Sequence, residues 1–229
     1  MTPASDPPRR AAEVLVPLTR GELVQGITDG NLFLVSCPID RFARIRATIN
    51  SAGQLIGPAG HPKALSAVTR TLRCLGHQET GVKLEVNSPF PQGCGLGTST
   101  AGVVGAIVVT ACAEGRALPP SDAARLAVAV EPSDSTIFPG LAIFDYRKGS
   151  HWELLGPAPD PAVVVLDFGS VDTVAYNARL DLDAVRRQRS WHGQALALLC
   201  HGLAQQDFAA IGSNAECSGE SVDQSETPA

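Results

Sequence analysis

Apolar and polar positions alternate most cleanly in RFARIRATI, residues 41–49. Phe42, Arg44, Arg46 and Thr48 fall on one side, Ala43, Ile45, Ala47 and Ile49 on the other. A period of two predicts a strand with one buried face. EVLVPL (13–18) and NLFLVSCPI (31–39) predict two more strands, with TRGELVQG (19–26) as a turn between them. SAGQLIGPAGHP reads as a glycine-bearing loop. The spacing then becomes helical over 63–76, with Leu65, Val68, Thr69 and Leu72 on one face. GVKLEV (81–86) alternates again as a short strand.

AGVVGAIVVTACA (101–113) is the longest apolar run. It is too short to span a bilayer and predicts a buried helix from about Ser99 to Glu114. Pro119 and Pro120 punctuate the chain, and Ser121 is placed to N-cap the next helix. Asp122 sits in that helix's first turn, where the dipole favours an acid. The helix should end before Pro132. LAIFDY (141–146), HWELL (151–155) and PAVVVLDF (161–168) predict strands, the last apolar enough to be central. The segment from Leu180 to Gly212 reads as helical with a break near Gly193. Residues 1–12 read as a loose leader and 213–229 as a disordered tail. Strands lead and mix with helices without a strict βαβα rhythm, so the expected class is α+β.

Composition narrows the function classes. The chain has 229 residues, 44% of them hydrophobic, with a net charge of −5 and a pI near 5.5. No long basic run exists to displace counterions, so no nucleic-acid partner is expected. The first residues lack a secretory apolar segment, which points to a soluble, cytoplasmic protein without a membrane partner. Six cysteines form no CxxC pair and five histidines no HExxH or HxxxH spacing. Free thiols are expected rather than disulfides or a zinc site.

SPFPQGCGLGTSTAG (88–102) is the stretch with chemistry in it. Closely spaced glycines let a backbone approach a ligand and adopt positive φ. A loop opening a helix presents unpaired N–H groups and the positive end of a dipole, which suits phosphate. Thr98, Ser99 and Thr100 add hydroxyls for phosphate oxygens or Mg²⁺. The stretch lacks the lysine of a Walker loop and the spacing of GxGxxG. Gly97–Ala101 also nearly matches a serine-hydrolase elbow, with Asp167 or Asp172 and His192 or His201 following in order. Yet PFPQGC stands where an apolar strand should feed such an elbow.

PQGCGLGTSTA (91–101) resembles the second motif of the GHMP kinases, P-x-G-x-G-L-G-[ST]-S-[AT]-A, at all eleven positions. RGELVQG (20–26), LVSCPIDRF (34–42) and VEPSDSTIFPGLAIFD (130–145) resemble the L-threonine kinases of cobalamin biosynthesis within that family. The resemblance spans roughly residues 14–210. It implies the GHMP fold: an N-terminal ribosomal-protein-like α+β domain (13–150) that binds ATP, then a ferredoxin-like C-terminal half (151–212). It implies ATP and Mg²⁺, and transfer of the γ-phosphate to the hydroxyl of L-threonine. The product, O-phospho-L-threonine, would feed the cobalamin aminopropanol linker.

The same resemblance assigns roles. Pro91, Gln92, Gly93, Cys94, Gly95, Leu96, Gly97, Thr98, Ser99, Thr100 and Ala101 form the ATP loop. Ser99 and Glu131 are the metal candidates, the latter otherwise a solvated carboxylate before a proline. Asp134 is the candidate base, or a turn residue bonding its own backbone. Glu22, Gln25 and Asp40 face the small amino-acid alcohol, with Arg20 and Arg41 as carboxylate partners or ordinary surface residues. The family's third, glycine-rich motif is not found, so an incomplete C-terminal half is expected. That leaves open an inactive nucleotide-binding pseudokinase, or a kinase for another small alcohol such as homoserine. A homodimer is also left open.

Overall fold

Residues 11–50 form one long hairpin instead of three short strands around a turn. The protein is described here by a computed structural model covering residues 10–160 and 182–212. The expected strand 161–168, Asp167 and Asp172, most of the leader and the 213–229 tail lie outside these residues. Strand β1 (Ala11–Thr28) pairs antiparallel with β2 (Asn31–Asn50). Asp29 and Gly30 join them, both with positive φ (49° and 80°). That is the two-residue turn whose twist matches the strands it connects, and Asp-Gly is its usual sequence.

The expected turn at 19–26 is therefore strand. Its register shifts between Pro17 and Thr19, Thr19 and Glu22, and Glu22 and Val24. Bulges absorb Gly21 and the polar residues that read as a turn. Residues 31–39 and 41–49 are likewise one strand, with Asp40 and Arg41 in an irregular stretch between Pro38 and Phe42. The alternation of 42–49 holds: Ala43, Ile45 and Ala47 are buried, and Phe42, Arg44 and Arg46 exposed.

β2 carries the sheet. Its residues 44–50 pair with β4 (Gly81–Asn87), and Leu34 pairs with Phe144 of β5 (Leu141–Phe144). β3 (Leu55–Ile56), inside the expected loop, lies parallel to β4, and β6 (Trp152–Gly156) is antiparallel to β5. The order is β3-β4-β2-β5-β6, with β1 on β2.

Helices α1 (Pro62–Leu75) and α2 (Thr98–Ala113) pack on the half of the sheet built from β1, β2 and β4. Thirteen of the sixteen α2 residues are buried, so this helix is enclosed on all sides. It approaches β2 so closely that a Cβ on Gly105 would lie 2.6 Å from Ile45 side-chain atoms. On α1 the buried threonine is Thr71, whereas Thr69 is exposed and bonds the Leu65 carbonyl. Helix α3 (Pro120–Val128) starts at Pro120 with Pro119 as its cap residue and no side-chain cap bond. Ser121 is therefore not the cap: proline's fixed φ and missing N–H suit the first helical position.

A second core forms where α4 (Leu182–Arg187) and α5 (Arg189–Gln205) cover the other end of the hairpin. Leu23, Val24, Phe33, Val35 and Leu199 meet there. The break between these helices falls at Gln188, and Gly193 lies inside α5. His192, 4% exposed, seats its ring on Gly26, where a Cβ would lie 2.3 Å from the imidazole. Its Nδ1 accepts the Ile27 N–H at 3.4 Å, and burial pushes the imidazole below its ordinary pKa. Among the described residues no helix is long and apolar enough to cross a membrane.

Candidate active site

The glycine stretch becomes a bare loop that feeds α2. Gly93, Gly95 and Gly97 all have positive φ, at 82°, 74° and 67°. Gly97 is the cap residue of α2 and makes no side-chain cap bond, having no side chain to make one. The first N–H groups of α2 are thus left for another acceptor. Gly97 is also forced by crowding. A Cβ there would lie 2.5 Å from Thr19 Cγ2 and 2.7 Å from Asp134 Oδ2. The loop is tied to the β1 bulge by the Thr19 N–H, which donates to the Leu96 carbonyl at 3.2 Å.

Three consecutive hydroxyls take three directions, as a helix requires. Thr98 Oγ1 donates back to the Pro91 carbonyl at 3.3 Å and closes the loop. Thr100 Oγ1 accepts the Asp134 N–H at 3.3 Å. Ser99 Oγ donates to Glu131 Oε1 at 2.5 Å. Cys94 Sγ points to the Pro91 carbonyl, Leu96 and Ala101 are buried, and Pro91, Gln92 and Gly93 are exposed.

Glu131 is held on its other oxygen by Lys63 Nζ. Lys63 is the second residue of α1, just after Pro62. Sequence reasoning missed it. The available signal was a cation in the first turn of a helix, where the dipole disfavours it. The contact also shows how the helices lie. The starts of α1 and α2 meet through Lys63, Glu131 and Ser99. Their far ends meet through His77 and Glu114, whose atoms are 2.6 Å apart. The two helices run in the same direction, so two positive dipole ends converge on one place.

Asp134 precedes a single 3-10 turn (Ser135–Ile137). That turn is pinned to β2 by a reciprocal pair: Ser36 N–H to Ser135 Oγ at 2.8 Å, and Ser135 N–H to Ser36 Oγ at 3.1 Å. Asp134 keeps some contact with solvent, yet protein atoms crowd its carboxyl. This crowding pushes its pKa up to about 7, with the charge of Glu22 adding to it. A Thr100 hydrogen bond opposes the shift and Glu131 adds a little more. A carboxyl poised near neutrality can take or give a proton at ordinary pH.

Glu22 is solvent-accessible but closely surrounded, and that environment raises its pKa too, against the pull of its own backbone N–H. Leu23 and Val24 both enter the same core cluster at the last β1 bulge. The bulge therefore returns Gln25 to the face that carries Glu22. Asp40 is elsewhere in character: its side chain is 87% exposed and pairs with Arg41 at 2.9 Å. The structure thus gathers Glu22, Ser99, Thr100, Glu131 and Asp134, adds Lys63, and leaves Asp40 on the surface. It gives no support to the hydrolase pattern, because Ser99 Oγ bonds a carboxylate and His192 Nδ1 bonds the Ile27 amide.

Ser99 Oγ and Glu131 are hard oxygen donors of the kind Mg²⁺ takes when phosphates and water complete its shell. Among the described residues no group of three or more His, Cys, Asp or Glu could hold a metal alone. A cleft of about 760 Å³ lies between Asp29–Gly30 and Arg186 and Arg189, and its lining includes none of these residues. Convergent chemistry marks the site.

Comparison with known proteins shows what the chain is similar to. Residues 63–139 match the GHMP kinases N terminal domain. An L-threonine kinase from Salmonella typhimurium is 32% identical over 154 residues, covering 66% of this chain and 50% of that protein. A homoserine kinase from Synechocystis is 26% identical over 140 residues, 56% of this chain and 46% of that protein. The chain spans about half the length of these curated relatives. The structure of MDDEF in complex with MVAPP, AMPPCP and magnesium shares the fold, with a TM-score of 0.69 at 16% identity. It covers 93% of this chain and 74% of that one.

Proposed function

Given that the chain carries the GHMP kinase N-terminal domain, we propose that it transfers the γ-phosphoryl group of ATP to the side-chain hydroxyl of L-threonine. ADP and O-phospho-L-threonine are the products, the latter suited to the aminopropanol linker of cobalamin. The observation that carries this reading is the meeting of Ser99, Glu131 and Asp134 beside the Gly93–Gly97 loop at the start of α2.

Phosphoryl transfer asks for alignment and for neutralisation of spreading charge, with little covalent chemistry from the protein. The loop amides and the converging ends of α1 and α2 receive the triphosphate. Ser99 and Glu131 would hold Mg²⁺, which would supply positive charge to neutralise the phosphates. Asp134 accepts the hydroxyl proton as the oxygen bonds to phosphorus. Glu22 and Gln25, on one face of β1, receive the ammonium end of the amino acid. Asp40 has the weaker claim to that role, being paired with Arg41 on the surface.

Homoserine is the second acceptor, favoured by the homoserine kinase relative. It is an isomer of threonine with its hydroxyl one carbon further along, so the two differ in reach and not in charge. A phosphate-transfer assay over L-threonine, L-homoserine and L-serine tests the reading. Threonine-dependent ADP release with phosphothreonine as product supports it. Preference for homoserine changes the acceptor. ADP release that no amino alcohol stimulates refutes the kinase.

A further inference from the structure

We propose that Lys63 is a stand-in for the metal: its ammonium occupies Glu131 until Mg²⁺ and nucleotide arrive, then turns to the nucleotide phosphates. This rests on the kinase reading above and extends it to a residue that reading does not use.

Glu131 is nearly enclosed, its side chain 6% exposed, and its two oxygens have one partner each, Ser99 and Lys63. An enclosed carboxylate without a cation would be costly, and breaking a buried pair by removing one partner is strongly unfavourable. Lys63 removes that cost while the metal is away. Its own side chain is 41% exposed, so it is anchored at the rim and free to swing. It is held at the start of α1, beside the start of α2, where an ammonium is disfavoured by both dipoles. An arriving anion reverses that preference. Mg²⁺ at Glu131 would compete directly with the ammonium, and the displaced ammonium lies where phosphate oxygens must be received. Lys63 is then a positioning and phosphate-contacting residue. Its exchange makes metal and nucleotide bind as a coupled pair.

The coupling has a signature that a structural ion pair lacks. In Lys63→Met, Mn²⁺ alone, followed by electron paramagnetic resonance, should bind several-fold more tightly, because its competitor is gone. AMPPCP with Mg²⁺, followed by calorimetry, should bind about ten-fold or more weakly, the usual size of one charged contact. Lys63→Arg should recover most of the nucleotide affinity. AMPPCP affinity within two-fold of wild type in Lys63→Met would overturn the proposal. So would weaker binding of both Mn²⁺ and AMPPCP, which would make Lys63 a prop, since a competitor's removal cannot weaken the metal. Wild-type protein that fails to bind Mg²⁺–AMPPCP would instead refute the kinase reading itself, and the two failures are told apart by that control.

Discussion

Two buried glutamates flank α2, and each is held by a basic residue on one oxygen and a second group on the other. At the helix start Glu131 has Lys63 and Ser99; at the helix end Glu114, with a 1% exposed side chain, has Arg10 at 3.4 Å and His77 at 2.6 Å. The difference is the field around them. Glu131 faces two positive helix ends, the amides of the glycine loop and an acid whose pKa is raised to about 7. Glu114 faces two negative helix ends, which disfavour it, and two nitrogenous partners that offset them. On the proposed function, the same pairing is a receptor in one place and a staple in the other. Surroundings, not the pair, decide the role.

The sharpest test of that contrast is Asp134→Asn. Loss of a general base should lower turnover by about 10²–10⁴. Stability should move the other way. Asp134 has a folded pKa near 7 against an ordinary 3.8, so it stabilises the fold while protonated. That contribution is lost as pH rises from about 4 through 7. At pH 8 the asparagine variant should therefore melt higher than wild type. A lower Tm would show that the carboxylate is structural.

Next, Glu131→Gln and Glu114→Gln should separate the two ends. The first should lower turnover by roughly 10²-fold, the scale of lost transition-state charge stabilisation, with the fold retained. The second should leave turnover within two-fold at 25 °C and lower stability by about 1–3 kcal/mol, the scale of lost hydrogen bonds to a charged group whose partners Arg10 and His77 are reached by solvent. A denaturant titration beside the assay reads both. Equal effects from the two variants would dissolve the comparison.

The pH profile follows with a smaller effect. Activity should rise about ten-fold per unit up to about pH 7 and then level, as Asp134 ionises. A flat profile between pH 5.5 and 7 would remove it as the base. Smallest is Gly97→Ala. Positive φ and the contacts with Thr19 and Asp134 should cost about 1–3 kcal/mol of stability, and denaturant midpoints would show it.

Much of this was legible in the sequence. The period-two pattern of 42–49 specifies a buried face and the apolar run 101–113 a helix buried all round, and the structure keeps both. The glycine loop was legible because a backbone that must approach an anion leaves a local mark. The β1–β2 hairpin was not. Bulges at Gly21 and near Asp40 interrupt alternation, and a bulge and a turn use the same residues. Lys63 was hidden for another reason. Its meaning depends on a carboxylate 68 residues away, and no local pattern encodes that distance. Gln25 shows both effects: only the bulge at Leu23–Val24 puts it on the same face as Glu22.

The reciprocal Ser36–Ser135 clasp spans 99 residues, and it sets a schedule during synthesis. While the ribosome is still extending the chain, Ser36 of β2 is made 99 residues ahead of Ser135, and its half of the clasp must wait for that turn to emerge. The Asp134 side of the candidate site cannot be in place before that segment emerges and the clasp closes. A nascent chain stalled short of it would display the glycine loop complete in sequence and empty of purpose.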